Sequence, residues 1–300
     1  MKKLGFAIMV ICVLGFAAPA ISADFAFHGD LNHRFMLYTN HADWFNAEQT
    51  GQLHDGDVED TWAEIKYRLW MEAATDDGDV KGVVATEIGG LRFGEPGALD
   101  YSGDDIKFEV RWAYVDFQLP WMEERSRLRV GLQPFTVNEY LWKETAGAIN
   151  FYGSGGVLDY ELAWARGHEI ELTQNSTEDD EHEDVDAYLA RLNFDPAEDM
   201  KAGVFLLFQN NDAGSGSGVI TPQGYIVKSL NNVDFDLWTI GIDGSYDMDG
   251  FFFNWDLMYQ DGEMKDATFA GRTDDFDLSA WFGHADLGLK MGNHKITYTF

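Results

Sequence analysis

The chain has 300 residues, with 52 Asp and Glu against 21 Lys and Arg, a formal charge of -31 and a single cysteine. That balance excludes a basic nucleic-acid footprint, and one cysteine excludes a disulfide framework. Aromatic residues make up 15% of the sequence, a large share that the elements below must place.

The first residues, MKKLGFAIMVICVLGFAAPAISA, set two lysines before an apolar run that ends in small residues. This is the order of a secretory signal peptide, with cleavage expected after Ala23 and Ala20 as second choice. The run is short for a spanning helix, and Cys12 lies inside it behind Ile11, a poor context for lipid attachment. Residues 24–300 are then one exported domain without cysteine, and losing Lys2 and Lys3 takes its charge from -31 to -33. No later apolar stretch approaches helical membrane length, so any insertion must use strands closed into a barrel.

Strands are predicted near 25–39, 61–75, 80–89, 107–119, 126–135, 148–153, 157–167, 186–195, 200–210, 235–246, 251–261, 277–290 and 294–300. Most are about ten residues long, the reach of a tilted membrane strand. The clearest is FFFNWDLMYQ, where Phe251, Phe253, Trp255, Leu257 and Tyr259 alternate with the mostly polar set of Phe252, Asn254, Asp256, Met258 and Gln260. A period of two sends these sets to opposite faces. The same split puts Ala63, Ile65, Tyr67, Leu69 and Met71 on one face of 61–71. It does so for Phe108, Val110, Trp112 and Tyr114, and for Trp238, Ile240, Ile242 and Tyr246.

The connections are read as alternating between short and long. Residues 76–79, 120–125, 154–156, 195–199, 247–250 and 292–293 are short and rich in Gly, Asp, Asn and Pro, as turns require. Residues 40–60, 90–106, 136–147, 168–185, 211–234 and 262–276 are read as long loops. Short periplasmic turns alternating with long outer loops mark a transmembrane antiparallel β-barrel. A water-soluble sandwich with an aromatic core is the competing architecture. Thirteen strands are odd for a bacterial barrel, whose ends both lie in the periplasm. Either 148–153 and 157–167 are one strand, giving twelve, or the chain is part of a barrel of about 16 strands.

The opposite face gathers cations that so acidic a chain spends sparingly: Arg34, Lys66, Arg68, Lys107, Arg111, Arg127, Arg129 and Arg191. Facing lipid, each would cost a few kcal/mol, roughly 2–4 at the midplane, so a lumen position is cheaper. Pairing with lumen carboxylates to brace the wall is the plainer use of the same residues. The acidic run 175–186 lacks calcium-loop spacing and reads as a solvated charge run. SGSG at 215–218 reads as a loop tip. No G-x-S-x-G, H-E-x-x-H or Walker pattern is present, so neither catalysis nor a metal or other cofactor is expected.

The segment RLRVGLQPF (127–135), followed by TVNEYLWKETAGAIN, resembles the Gram-negative outer-membrane porin superfamily. The resemblance lies in a V-G-x-Q strand end just before a constriction loop, although Leu132 stands where many relatives have Arg. It implies a third outer loop folded into the barrel, with Glu139 and Glu144 as its acids. Arg34, Lys66, Arg68, Arg111, Arg127 and Arg129 would form the basic wall of the constriction. It also implies a homotrimer in outer-membrane lipid and lipopolysaccharide, and a terminal aromatic strand ending at Phe300 that assembly machinery reads. The function expected is passive diffusion of small hydrophilic solutes and ions. A channel selective for anionic sugars or polymers is the alternative, and an outer-membrane enzyme or adhesin a more distant one.

Overall fold

The computed structural model describes residues 23–41, 58–94, 106, 108–120, 122, 126–169, 184–211, 234–248, 250–269, 272–292 and 294–300. They hold thirteen strands and no helix. The strands are β1 (Ala23–His41), β2 (Val58–Thr75), β3 (Val80–Arg92), β4 (Glu109–Gln118), β5 (Arg127–Asn138), β6 (Trp142–Ser154) and β7 (Leu158–Glu169). After them come β8 (Asp184–Ala197), β9 (Met200–Asn211), β10 (Asp234–Met248), β11 (Phe251–Phe269), β12 (Arg272–Met291) and β13 (His294–Thr299). They follow chain order in an up-and-down antiparallel sheet. The chain divides into two units, residues 1–113 and 114–300, with β4 shared between them.

In the first unit, β1 pairs with β2 from Ala23↔Thr75 to His41↔Val58, and β2 pairs with β3. Phe25, Phe27, Leu31, Phe35 and Leu37 are 61–77% exposed along β1, and Leu69 on β2 is 57% exposed. Of the predicted face of β2, Leu69 is exposed and Ala63, Ile65, Tyr67 and Met71 are half-buried. The β2–β3 turn closes on Gly78, whose φ of 73° suits a residue without Cβ.

Strand β4 corrects the predicted face. Phe108 and Val110 are exposed, as their spacing implies. Trp112 instead packs edge-on against Trp70, ring centroids 5.8 Å apart, and Trp70 shares the alternating face of Lys66 and Arg68. In the second unit, Tyr114 lies 5.1 Å beneath the guanidinium of Arg129. Val115 is 46% exposed and Asp116 is 1% exposed, so the alternation changes phase within the strand. A strict period of two could not foresee that slip.

In the second unit, β9 and the first ten residues of β10 alternate cleanly. Leu206 and Ile240, side by side in register, are 40% and 53% exposed, whereas the next pair, Leu207 and Thr239, is fully buried. The aromatic face of β11 keeps its predicted membership, with Phe253 stacked on Trp255 and Tyr259 against Trp281 of β12. Strands β6 and β7 are separate. Gly155 N–H donates to the Leu158 carbonyl at 2.7 Å and Gly156 turns the chain at φ 98°. The twelve-strand count is thereby excluded.

Two expected long loops are instead strand. Residues 136–147 continue β5 and β6 to a turn at 139–141, and 262–276 continue β11 and β12 with a bulge between Met264 and Ala267. Turn chemistry explains the first. Asn138 Oδ1 accepts the Tyr140 N–H at 2.8 Å, an Asx turn that replaces a loop. The other four expected long connections, and the expected signal segment, lie largely outside the described residues.

The β5–β6 hairpin also leaves the sheet. Strand β6 pairs with β7 only over Gly147–Ser154, whereas it pairs with β5 as far as Trp142. The free end lies across the packed face of its unit. There Phe135, Val137 and Leu141 join Ala163, Ala165, Ala187, Leu189, Phe205, Leu207 and Met258 in one buried cluster. The alanines are what let a second layer come close, since they present only a methyl group.

Candidate functional site

The packed face carries the charged groups, and most of its cations converge on buried carboxylates. In the first unit the hub is Glu87 of β3, whose side chain is 7% exposed. Lys66 Nζ is 3.0 Å from it, Arg111 Nε 3.5 Å, and Arg68 Nε donates to it directly. Arg34 stands apart, 56% exposed and 3.9 Å from Glu64, a loose pair of little energetic weight.

In the second unit the hub is Asp116. Arg127 Nε donates to Oδ1 at 2.6 Å and Arg129 Nε to Oδ2 at 3.0 Å. The Tyr152 hydroxyl also donates to Oδ2, and Arg129 Nη2 donates to the Tyr152 oxygen at 3.1 Å. The next pair, Arg191 and Asp243, is bidentate and 15% exposed on both sides. Of the predicted wall residues, then, Lys66, Arg68 and Arg111 form one cluster and Arg127 and Arg129 another, while Arg34 joins neither.

The two predicted loop acids sit on the hairpin. Glu139 pairs with Lys143 at 2.6 Å, four residues on, with both side chains more than half exposed. Glu144 is exposed and lies opposite Phe135 in the β5–β6 register. The ion pair at Glu139 is thus internal to the hairpin, not made with a wall arginine. Asp186, which ends the acidic run, accepts from Arg166 and from the Trp164 indole. Residues 175–183 of that run, and 215–218, lie outside the described residues.

Sequence reasoning missed the carboxylate hubs and the groups that hold the hairpin tip: Glu87, Asp116, Asp243, Asn138, Tyr140, Asp256 and His284. A signal for two of them exists. Glu87 in VVATEIGG and Asp116 in AYVDFQL are lone acids inside apolar strands, and a buried carboxylate needs a paired cation. The others become neighbours only when the hairpin crosses strands more than a hundred residues away in the chain.

Beneath the hairpin lies a cavity of about 610 Å³. Its wall holds six acids, Glu139, Asp159, Glu161, Asp195, Asp243 and Asp256, against two cations, Arg191 and Lys201, for a net of -4. A second cavity of about 380 Å³ shares Asp159, Glu161 and Asn193 with it and adds Arg129 and Tyr152. These are polar, charged recesses of a size to hold hydrated ions or small polar molecules.

No family model matches the chain, and no curated protein matches it. Among solved structures it is similar to OmpT, an outer membrane protein of Vibrio cholerae folded in vitro and described as a trimer form. That similarity has 11% identity and a TM-score of 0.41, and covers 93% of this chain and 88% of the other.

Proposed function

We propose that this chain is an outer-membrane β-barrel porin, a water-filled channel for passive diffusion of small hydrophilic solutes and ions. The observation that carries the reading is the division of faces. Large apolar side chains stand exposed on strand after strand, among them Phe27 at 77%, Leu31 at 63%, Ile240 at 53% and Trp281 at 71%. Exposed rows of this kind need an apolar surrounding. The opposite face holds the charges and the cavities. In this reading the exposed face meets outer-membrane lipid and lipopolysaccharide, three copies associate, and the protein performs no catalysis.

The net charge of -4 on the lining of the larger cavity supports a preference for cations, since a surplus of carboxylates on a polar wall concentrates them. A second reading, a channel selective for anionic sugars or polymers, is favoured by one site. At Glu87 three cations meet a single carboxylate.

The test is the reversal potential of the refolded protein across a planar bilayer under a salt gradient. Stepwise conductance with cation selectivity is expected. Anion selectivity with saturable block by an anionic oligosaccharide would transfer the assignment to the second reading, and a folded protein that never conducts would overturn both.

A further inference from the structure

The tip of the β5–β6 hairpin is fastened by side chains from four other strands. Asn138 Nδ2 donates to Asp256 Oδ1 of β11 at 2.6 Å and to Asp243 Oδ2 of β10 at 3.2 Å. Arg191 of β8 donates through Nη1 to the Val137 carbonyl at 2.7 Å. The fourth fastening is of another kind. The Tyr140 hydroxyl is 2.8 Å from His284 Nε2 on β12, and His284 Nδ1 is 3.0 Å from Asp256 Oδ2.

Proton placement there follows from valence. An ionised carboxylate only accepts, so Nδ1 carries the proton shared with Asp256. A neutral imidazole then offers Nε2 as a lone pair, and Tyr140 must be the donor. A competitor stands beside it. Asp286 Oδ1 is 3.3 Å from the same Nε2 and already accepts from Thr299 Oγ1 of β13 at 2.6 Å. When His284 gains a proton, Nε2 becomes a donor. A carboxylate is a stronger acceptor for imidazolium than a phenol oxygen, so that N–H turns to Asp286 and Tyr140 loses the atom it bonded. The charged groups around the imidazole are Asp256 and Asp286, with Glu139 on the hairpin. Asp243 and Arg191 lie one residue further off, through Asn138.

We propose that His284 is a positioning residue for the channel aperture, a protonation-operated clasp. Neutral, it holds Tyr140 and keeps the hairpin tip over the 610 Å³ cavity; charged, it releases Tyr140 and lets the tip move. The consequence for conductance rests on the porin reading, whereas the movement of the hairpin does not.

The experiment therefore reads both. In residues 24–300, which contain no cysteine, nitroxides at Lys143→Cys on the hairpin and Lys265→Cys on β11 report their separation by dipolar spectroscopy from pH 8 to pH 4.5. The released-to-fastened ratio should rise about tenfold on acidification, the factor one hydrogen bond contributes. His284→Gln keeps neutral hydrogen bonding without titrating and should remain fastened throughout. Tyr140→Phe, which spares the packing of the ring, should be released at every pH. A distance distribution that ignores pH in the parent, or a pH response that survives in both variants, overturns the clasp. Conductance without a pH-dependent distance would retain the porin and reject the clasp; a pH-dependent distance without conductance would do the reverse.

Discussion

Arg191 and Asp243 meet across a strand that belongs to neither. Arg191 is on β8 and Asp243 on β10, yet Nη2 reaches Oδ1 at 2.6 Å and Nη1 reaches Oδ2 at 2.9 Å over the backbone of β9. The residue beneath them is Gly203. A Cβ there would lie 2.5 Å from Asp243 Oδ1, 2.6 Å from Arg191 Nη2 and 2.9 Å from Asn193 Oδ1. Next-nearest strands can share an ion pair because the middle strand has no side chain in the way.

Gly203→Val should consequently break this pair without altering either partner. Its backbone is ordinary extended strand, so the effect is one of space alone. Overpacking of a filled site costs about 1–3 kcal/mol, and the displaced charges stay partly buried. The check is the thermal unfolding midpoint of the refolded protein, followed by heat modifiability on gels. Gly147→Val, on β6 where an added Cβ meets nothing within 4 Å, should leave the midpoint nearly unchanged.

The Asp116 hub makes a larger claim. Its carboxylate is 1% exposed and holds Arg127, Arg129 and Tyr152 together. Removing one partner of a buried charge cluster leaves the others unpaired, at a cost of about 3–5 kcal/mol. Asp116→Ala should show that loss in denaturant unfolding. Asp116→Ala combined with Arg127→Met and Arg129→Met should recover much of it, because no uncompensated cation remains. A triple variant no more stable than Asp116→Ala alone would mean that the cluster acts independently of its carboxylate.

At the β2–β3 turn the expected effect runs with pH. The Thr75 hydroxyl and the Asp79 amide both donate to Asp77, at 2.6 Å and 3.0 Å, and hold its carboxyl below the ordinary aspartate range. A depressed folded-state value stabilises the turn above the unfolded value, and that contribution fades as pH falls through the folded one. Thr75→Val should move the Asp77 titration, read by carboxyl carbon NMR in micelles, upward toward that of an ordinary aspartate. A midpoint unmoved by the substitution would show that the hydroxyl does not set it.

How much of this was legible beforehand depends on the range of the interaction. The thirteen strands follow from alternation and turn residues, both local, and the membership of the aromatic face of β11 is readable from Phe251 to Tyr259 alone. The phase change in β4 was not readable, because an irregularity in a strand depends on its partners rather than on its own residues. The hairpin tip was partly readable. The segment 136–147 stands out in the sequence, yet its Asx turn at Asn138, and Val137 continuing the apolar spacing of Phe135, fall where a long loop is expected. The arginines were found, but their carboxylates were not. A cation on a polar face is visible as an exception to pattern, whereas Glu87 and Asp116 are identified by the three-dimensional convergence of cations from neighbouring strands.

The exposed face allows the sharpest test of where the protein resides. Ile240 sits midway along β10, between Trp238 and Ile242, and the three are 53%, 47% and 46% exposed respectively. In water, Ile240→Arg would be close to neutral, since a charge at an exposed strand position remains solvated. In a bilayer the same side chain stands in hydrocarbon and costs about 2–4 kcal/mol at the midplane, less toward either interface. The comparison is made within one strand: Ile240→Arg against Tyr246→Arg, which lies on the same face but near the β10–β11 turn at Gly250. Refolding into vesicles of two acyl-chain lengths, followed by denaturant titration, should give a large penalty at 240 and a small one at 246, with the gap widening as the bilayer thickens. Equal and small penalties at both positions would place this face in water, and the exposed aromatic rows would then need a protein partner instead of lipid.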